Sequence, residues 1–190
     1  MPPQLKPYLT PEEYLASERN GAVRSEYLEG EVFAMTGGSR EHNLIVANLV
    51  GELRQQLKKR PCEMYPSDLR VRVPATGLYT YPDVVVVCGE PRFEDGEADT
   101  LLNPTLIVEV LSPSTEAYDR GKKFEHYRTL GSLREYLLVA QKEPRIEQYV
   151  RQDGDRWLFV STSGLESTLV LPSIQCDLAL VEVYDKVELS

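Results

Sequence analysis

The chain has 190 residues, 42% of them hydrophobic, enough to bury one substantial core, and residues 1–190 are read as a single domain. A formal charge of -9 excludes a protein that coats nucleic acid with its whole surface, because such binding neutralises phosphates with Lys and Arg; any nucleic-acid site must be local. No run of about 18 apolar residues could span a bilayer, and the opening MPPQLKPYLTPEE lacks the basic-then-apolar plan of a signal peptide, so a cytoplasmic protein is expected.

In chain order, Thr10 followed by Pro11 and Glu13 forms a capping-box signature and predicts a helix over PEEYLASER. SEYLEGEVFAMT then reads as two short strands joined at Glu29-Gly30. From Ser39 a helix of about twenty residues is predicted, with Leu44, Ala47, Leu49 or Val50, Leu53 and Leu57 at three-to-four spacing and Pro61 as its end. In SDLRVRVP, Leu69, Val71 and Val73 alternate with Arg70 and Arg72, a strand with one wet face. DVVVV and TLIVEVL are continuously apolar, as strands covered on both faces are.

The intervening GEPRFEDGEADTLLN is the most loop-like stretch. Beyond Pro113 a helix is predicted from about Thr115 to Leu130, capped by Ser114 or Thr115 with Glu116 and Asp119 in its first turn. The strands EYLLVA, RIEQYVR and RWLFVST follow, the last two joined at Asp153-Gly154. A helix between two buried strands predicts a crossover unit. Cys62, Cys88 and Cys176 lie far apart without a C-x-x-C pair, so neither a disulfide framework nor a zinc knuckle is expected, and Cys88 is read as a core residue.

Two acids raise a chemical question. Asp83 stands directly before four valines, and Glu109 is the one charge in LIVEVL. A buried carboxylate is expensive unless it is paired, hydrogen-bonded or bound to metal. An ion pair explains Glu109 alone, and a strand-end cap explains Asp83 alone. If adjacent strands bring the two together, a cation between them is the simplest compensation, and hard oxygen ligands suit Mg²⁺ or Mn²⁺.

The segments YPDVVVV, VEVLSPST and DRGKKFEHYRTLGSLREYLLV resemble the Uma-type family of restriction-endonuclease-like proteins, a branch of the PD-(D/E)XK nuclease superfamily. SEYLEGEVFAM, EHNLIVANL and SDLRVRV match the family's order of elements, so the resemblance covers nearly the whole chain. It implies an α/β (α+β) fold: a central mixed sheet flanked by helices, with an N-terminal helix and hairpin and C-terminal antiparallel strands.

The resemblance also implies a metal-dependent endonuclease acting on DNA, in which Asp83 and Glu109, helped by the Val110 carbonyl, hold Mg²⁺ or Mn²⁺. The superfamily lysine should stand two residues after Glu109, where this chain has Leu111. Its counterpart is Lys123 on the following helix, with Lys122 as runner-up; on such a helix a lysine is otherwise usually solvated. Glu26 matches an N-terminal acid that completes the site. His42 and Asp68 match outer positions, although a helix-end imidazole and a turn aspartate explain them equally well.

A serine hydrolase is not supported, since no G-x-S-x-G precedes Ser112 or Ser114. The competing function is a nuclease-fold module that binds nucleic acid or a protein partner without cutting, motivated by Leu111 and the net charge. A homodimer through the terminal strands is also expected.

Overall fold

The computed structural model describes residues 8–189, so the leader reading of the opening residues 1–7 lies outside the described residues. The first elements are α1 (Pro11–Asn20), β1 (Ser25–Leu28), β2 (Glu31–Ala34), α2 (Arg40–Leu57) and β3 (Cys62–Pro66). Then come β4 (Arg70–Val73), β5 (Leu78–Thr80), β6 (Val84–Cys88), β7 (Thr100–Leu101) and β8 (Leu106–Val110). One helical segment follows in three parts, α3 (Glu116–Tyr118), a π-turn (Asp119–Lys123) and α4 (Phe124–Tyr127). The chain continues through β9 (Glu135–Val139), β10 (Arg145–Arg151), β11 (Trp157–Ser163), β12 (Thr168–Leu171), β13 (Cys176–Ala179) and α5 (Leu180–Val183). No helix of the described residues is long and apolar enough to cross a membrane.

The predicted capping box closes α1, with Glu13 N–H donating to Thr10 Oγ1 at 3.2 Å and Thr10 N–H to the Glu13 carboxylate at 2.8 Å. The β1–β2 turn places both Glu29 and Gly30 at positive φ, the conformation that a two-residue hairpin requires. In α2, Ser39 Oγ accepts from His42 N–H. The stripe that packs inward is Ile45, Leu49, Leu53 and Leu57, one step out of phase with the expected Leu44 and Ala47. Each of these side chains, removed from water, contributes about 1.5–3 kcal/mol.

The centre is a six-stranded mixed sheet in the order β11-β10-β9-β8-β6-β3. All its pairs are antiparallel except β8–β9, which the helical segment links as the crossover unit foreseen from the sequence. Even-numbered residues Val84, Val86, Leu106 and Val108 meet the α2 stripe, β12, β13 and α5 on one face. Odd-numbered residues Val85, Val87 and Ile107 meet Val71, Val73, Leu78 and Tyr127 on the other. The valine run is continuous because both its faces are covered. On the second face lies a five-stranded sheet in the order β2-β1-β5-β4-β7.

Three expectations are corrected. The arginine face of β4 is not wet: Arg70 is 2% exposed, donating to Thr100 Oγ1 and the Tyr81 hydroxyl and pairing with Asp99, because α1 and β7 cover it. Cys62 and Cys88 form a disulfide; they are distant in sequence, but the β3–β6 register sets them face to face. The turn into the helical segment is held by Ser112, whose Oγ accepts from Thr115 N–H, while Thr115 makes no capping bond.

Candidate active site

The β6–β8 register pairs Val84 with Val108, so the next step puts Asp83 across from Glu109. Directly opposite residues of an antiparallel pair share a face. Both acids line one cavity of about 350 Å³, together with Glu26, His42, Val110, Asp119 and Lys123. Two strands that are dry on both faces therefore hold the two carboxylates at one end of the sheet.

Each acid is held at more than one point. Asp83 accepts from the Val110 N–H at 2.7 Å on one oxygen, and His42 Nε2 lies 3.1 Å from the other. Glu109 is 4% exposed; its Oε1 accepts from the Tyr127 hydroxyl at 2.8 Å and faces Lys123 Nζ at 3.0 Å. Lys123 also pairs with Glu26 at 3.1 Å and Asp119 at 3.6 Å. Glu26 in turn accepts from the Thr80 hydroxyl. Gln141 donates to the Leu111 carbonyl at 2.6 Å and accepts from Ser39, tying the α2 N-terminus to the end of β8.

The electrostatics of this cluster are unbalanced. Burial pushes the Glu109 carboxyl up to about 8, with Asp119 and Asp83 adding to the effect and Lys123 opposing it. Burial likewise raises Asp119. Burial alone would lower Lys123, but Glu109, Glu26 and Asp119 outweigh it and hold the ammonium charged. The hydrogen bond to Asp83 raises His42 against the opposing effect of burial. Four carboxylates thus share one lysine and one imidazole.

Among the described residues, no three His, Cys, Asp or Glu side chains stand close enough to hold an ion by themselves. The donor set nevertheless fits a hard divalent ion. It consists of oxygen ligands, carries surplus negative charge, and is anchored on rigid strands.

Of the sequence-derived residues, Asp83, Glu109, Val110, Lys123, Glu26 and His42 come together in this cavity. Asp68 and Lys122 do not. The Asp68 side chain is 87% exposed and faces Arg24 at 3.7 Å, and Lys122 is exposed on the outer side of the π-turn. Leu111 is buried in the second-face core, so the expected lysine position is filled with hydrocarbon. Lys123 reaches Glu109 from the helix instead. Asp119, Tyr127 and Gln141 belong to the site beyond the residues that the sequence points to. Asp119, Lys123 and Tyr127 recur every four residues, a spacing that puts them on one helix face.

A family model described as "Putative restriction endonuclease", the Uma2 family, matches residues 11–181. The chain belongs to this family. Two uncharacterized Synechocystis proteins are similar to this Uma2 chain. The first, sll1609, is 38% identical over 156 residues, spanning 82% of this chain and 88% of its own. The second, slr1290, is 39% identical over 178 residues, spanning 94% and 92%. A crystal structure described as "a putative nuclease belonging to DUF820" from Anabaena variabilis superposes with a TM-score of 0.75 at 20% identity, covering 94% of this chain and 99% of that one. The Uma2 chain therefore has that α+β nuclease fold, as its sequence resemblance implied.

Proposed function

We propose that the protein is a divalent-ion-dependent nuclease that hydrolyses DNA phosphodiester bonds. The observation that carries this reading is the meeting of two strand-borne carboxylates and a buried lysine in one cavity. Asp83, Glu109 and the Val110 carbonyl would hold Mg²⁺ or Mn²⁺, which when bound supplies a more acidic water and neutralises phosphate charge.

The chain's own groups do the rest. His42 and the Val110 amide fix the two oxygens of Asp83 before any substrate arrives. Tyr127 fixes Glu109. Lys123, kept cationic by its three carboxylates, faces the charge that develops on the phosphate and does not act as the base. Glu26 and Asp119 hold its ammonium in place.

Incubation with plasmid, single-stranded and branched DNA in Mg²⁺ or Mn²⁺ tests the reading. Cleavage is expected in the wild type and lost in Asp83→Ala and Glu109→Ala; cleavage that persists in either variant refutes the assignment. Leu111 favours one alternative, a module of the same fold that binds without cutting, which would leave all three DNAs intact.

A further inference from the structure

The way the cavity is lined bears on what enters it. Duplex DNA is gripped mainly through phosphates by Lys and Arg. Among the described residues, Lys123 is the only Lys or Arg that lines this cavity, and three carboxylates already engage it. Its rim carries aromatic and thioether surface instead: Phe33, Met35 and Tyr118. Phe33 is 45% exposed on β2, an outer strand of the five-stranded sheet whose four residues are all exposed.

The β1–β2 register sets Phe33 directly opposite Glu26, the acid that holds Lys123. Opposite residues share a face, so the exposed ring stands beside the carboxylate cluster. Phe33 belongs to neither the α2-side core nor the core on the second face of the sheet. An exposed phenyl ring beside the proposed centre, whose described lining carries a single, already engaged lysine, is a platform for a nucleobase, whose flat face becomes available only when the base is unpaired.

We propose that the substrate is single-stranded or locally unpaired nucleic acid, with one base stacked on Phe33 and its phosphate directed towards Asp83 and Glu109. The proposal rests on the nuclease reading above. Phe33 is then a specificity-determining residue that selects unpaired DNA without taking part in the chemistry.

The test is fluorescence anisotropy in Ca²⁺ with a labelled oligothymidine and a duplex of equal length, using the full chain, Phe33→Ala and Phe33→Trp. Single-stranded DNA should bind the wild type more tightly than duplex. Phe33→Ala should weaken single-strand binding about tenfold, the loss of one stacked base, with duplex binding unchanged. Phe33→Trp should retain affinity.

An oligonucleotide scanned with abasic positions should show one position whose loss matches that of Phe33→Ala and adds nothing in that variant. Thermal melting should show both variants folded, since the side chain is on the surface. Unchanged single-strand binding by Phe33→Ala, or equal losses for both DNA forms, overturns the proposal. If cleavage still depends on Asp83 in that case, the nuclease reading survives; if no DNA form is bound or cut, both fall.

Discussion

Replacing Glu109 with Gln removes a buried ionisable group while keeping the side chain's shape and an acceptor for the Tyr127 hydroxyl. Burial lifts the Glu109 carboxyl from 4.5 to about 8, so the folded chain binds more protons than the unfolded chain between those values. Stability of the metal-free wild type is therefore greatest below the lower value and falls as pH rises towards the upper one. Near pH 7 the cost is about 2.5 pH units at about 1.4 kcal/mol each, or about 3 kcal/mol.

Glutamine escapes that cost, but Lys123 loses one of three carboxylate partners. A net gain of about 1–3 kcal/mol is expected for Glu109→Gln near pH 7. Urea denaturation in EDTA at acid, neutral and mildly alkaline pH measures it. Excess Mn²⁺ should then offset most or all of that gain, adding about 2.7 kcal/mol to the wild type at a hundredfold excess over Kd and nothing to the variant. A Glu109→Gln protein less stable than wild type in alkaline EDTA would refute the reasoning, because ionised Glu109 would then be a net stabilising partner of Lys123.

Lys123→Met strips the cation from Glu26, Glu109 and Asp119 and should cost about 3–5 kcal/mol in the same urea assay. His42 should titrate above 6.5 by NMR and move down in Asp83→Asn, since the Asp83 hydrogen bond is the main cause of its rise. Its contribution to stability is complete below 6.5 and is lost as pH rises through the folded value; an unshifted His42 in Asp83→Asn would contradict the pairing. The edge strand β11 carries no charge and exposes Leu158, Phe159 and Val160, so light scattering should give twice the 21.6 kDa monomer mass and Phe159→Lys should give the monomer.

Local signals in the sequence foretold the parts that local chemistry decides. Thr10 and Glu13 close their cap, Glu29-Gly30 makes its hairpin, and the valine run lies dry on both sides. The approach of Asp83 to Glu109 is readable because one immediately precedes a buried strand and the other lies within its neighbour. What stayed hidden depends on pairing between distant segments. Nothing near Arg70 announces Tyr81, Thr100 and Asp99, and nothing near Cys62 announces Cys88. Asp119 reads from the sequence as a first-turn acid, although the four-residue steps from Asp119 to Lys123 to Tyr127 carry the signal of a shared helix face. The π-turn that contains both Asp119 and Lys123 has no such signature, and π-turns recur at functional sites.

Titration of Mn²⁺ into the purified protein by isothermal calorimetry probes the proposed centre most directly. Saturable binding by the wild type that disappears in Asp83→Asn is predicted. A wild-type protein that takes up no divalent ion, or a variant that binds it equally well, would contradict the account.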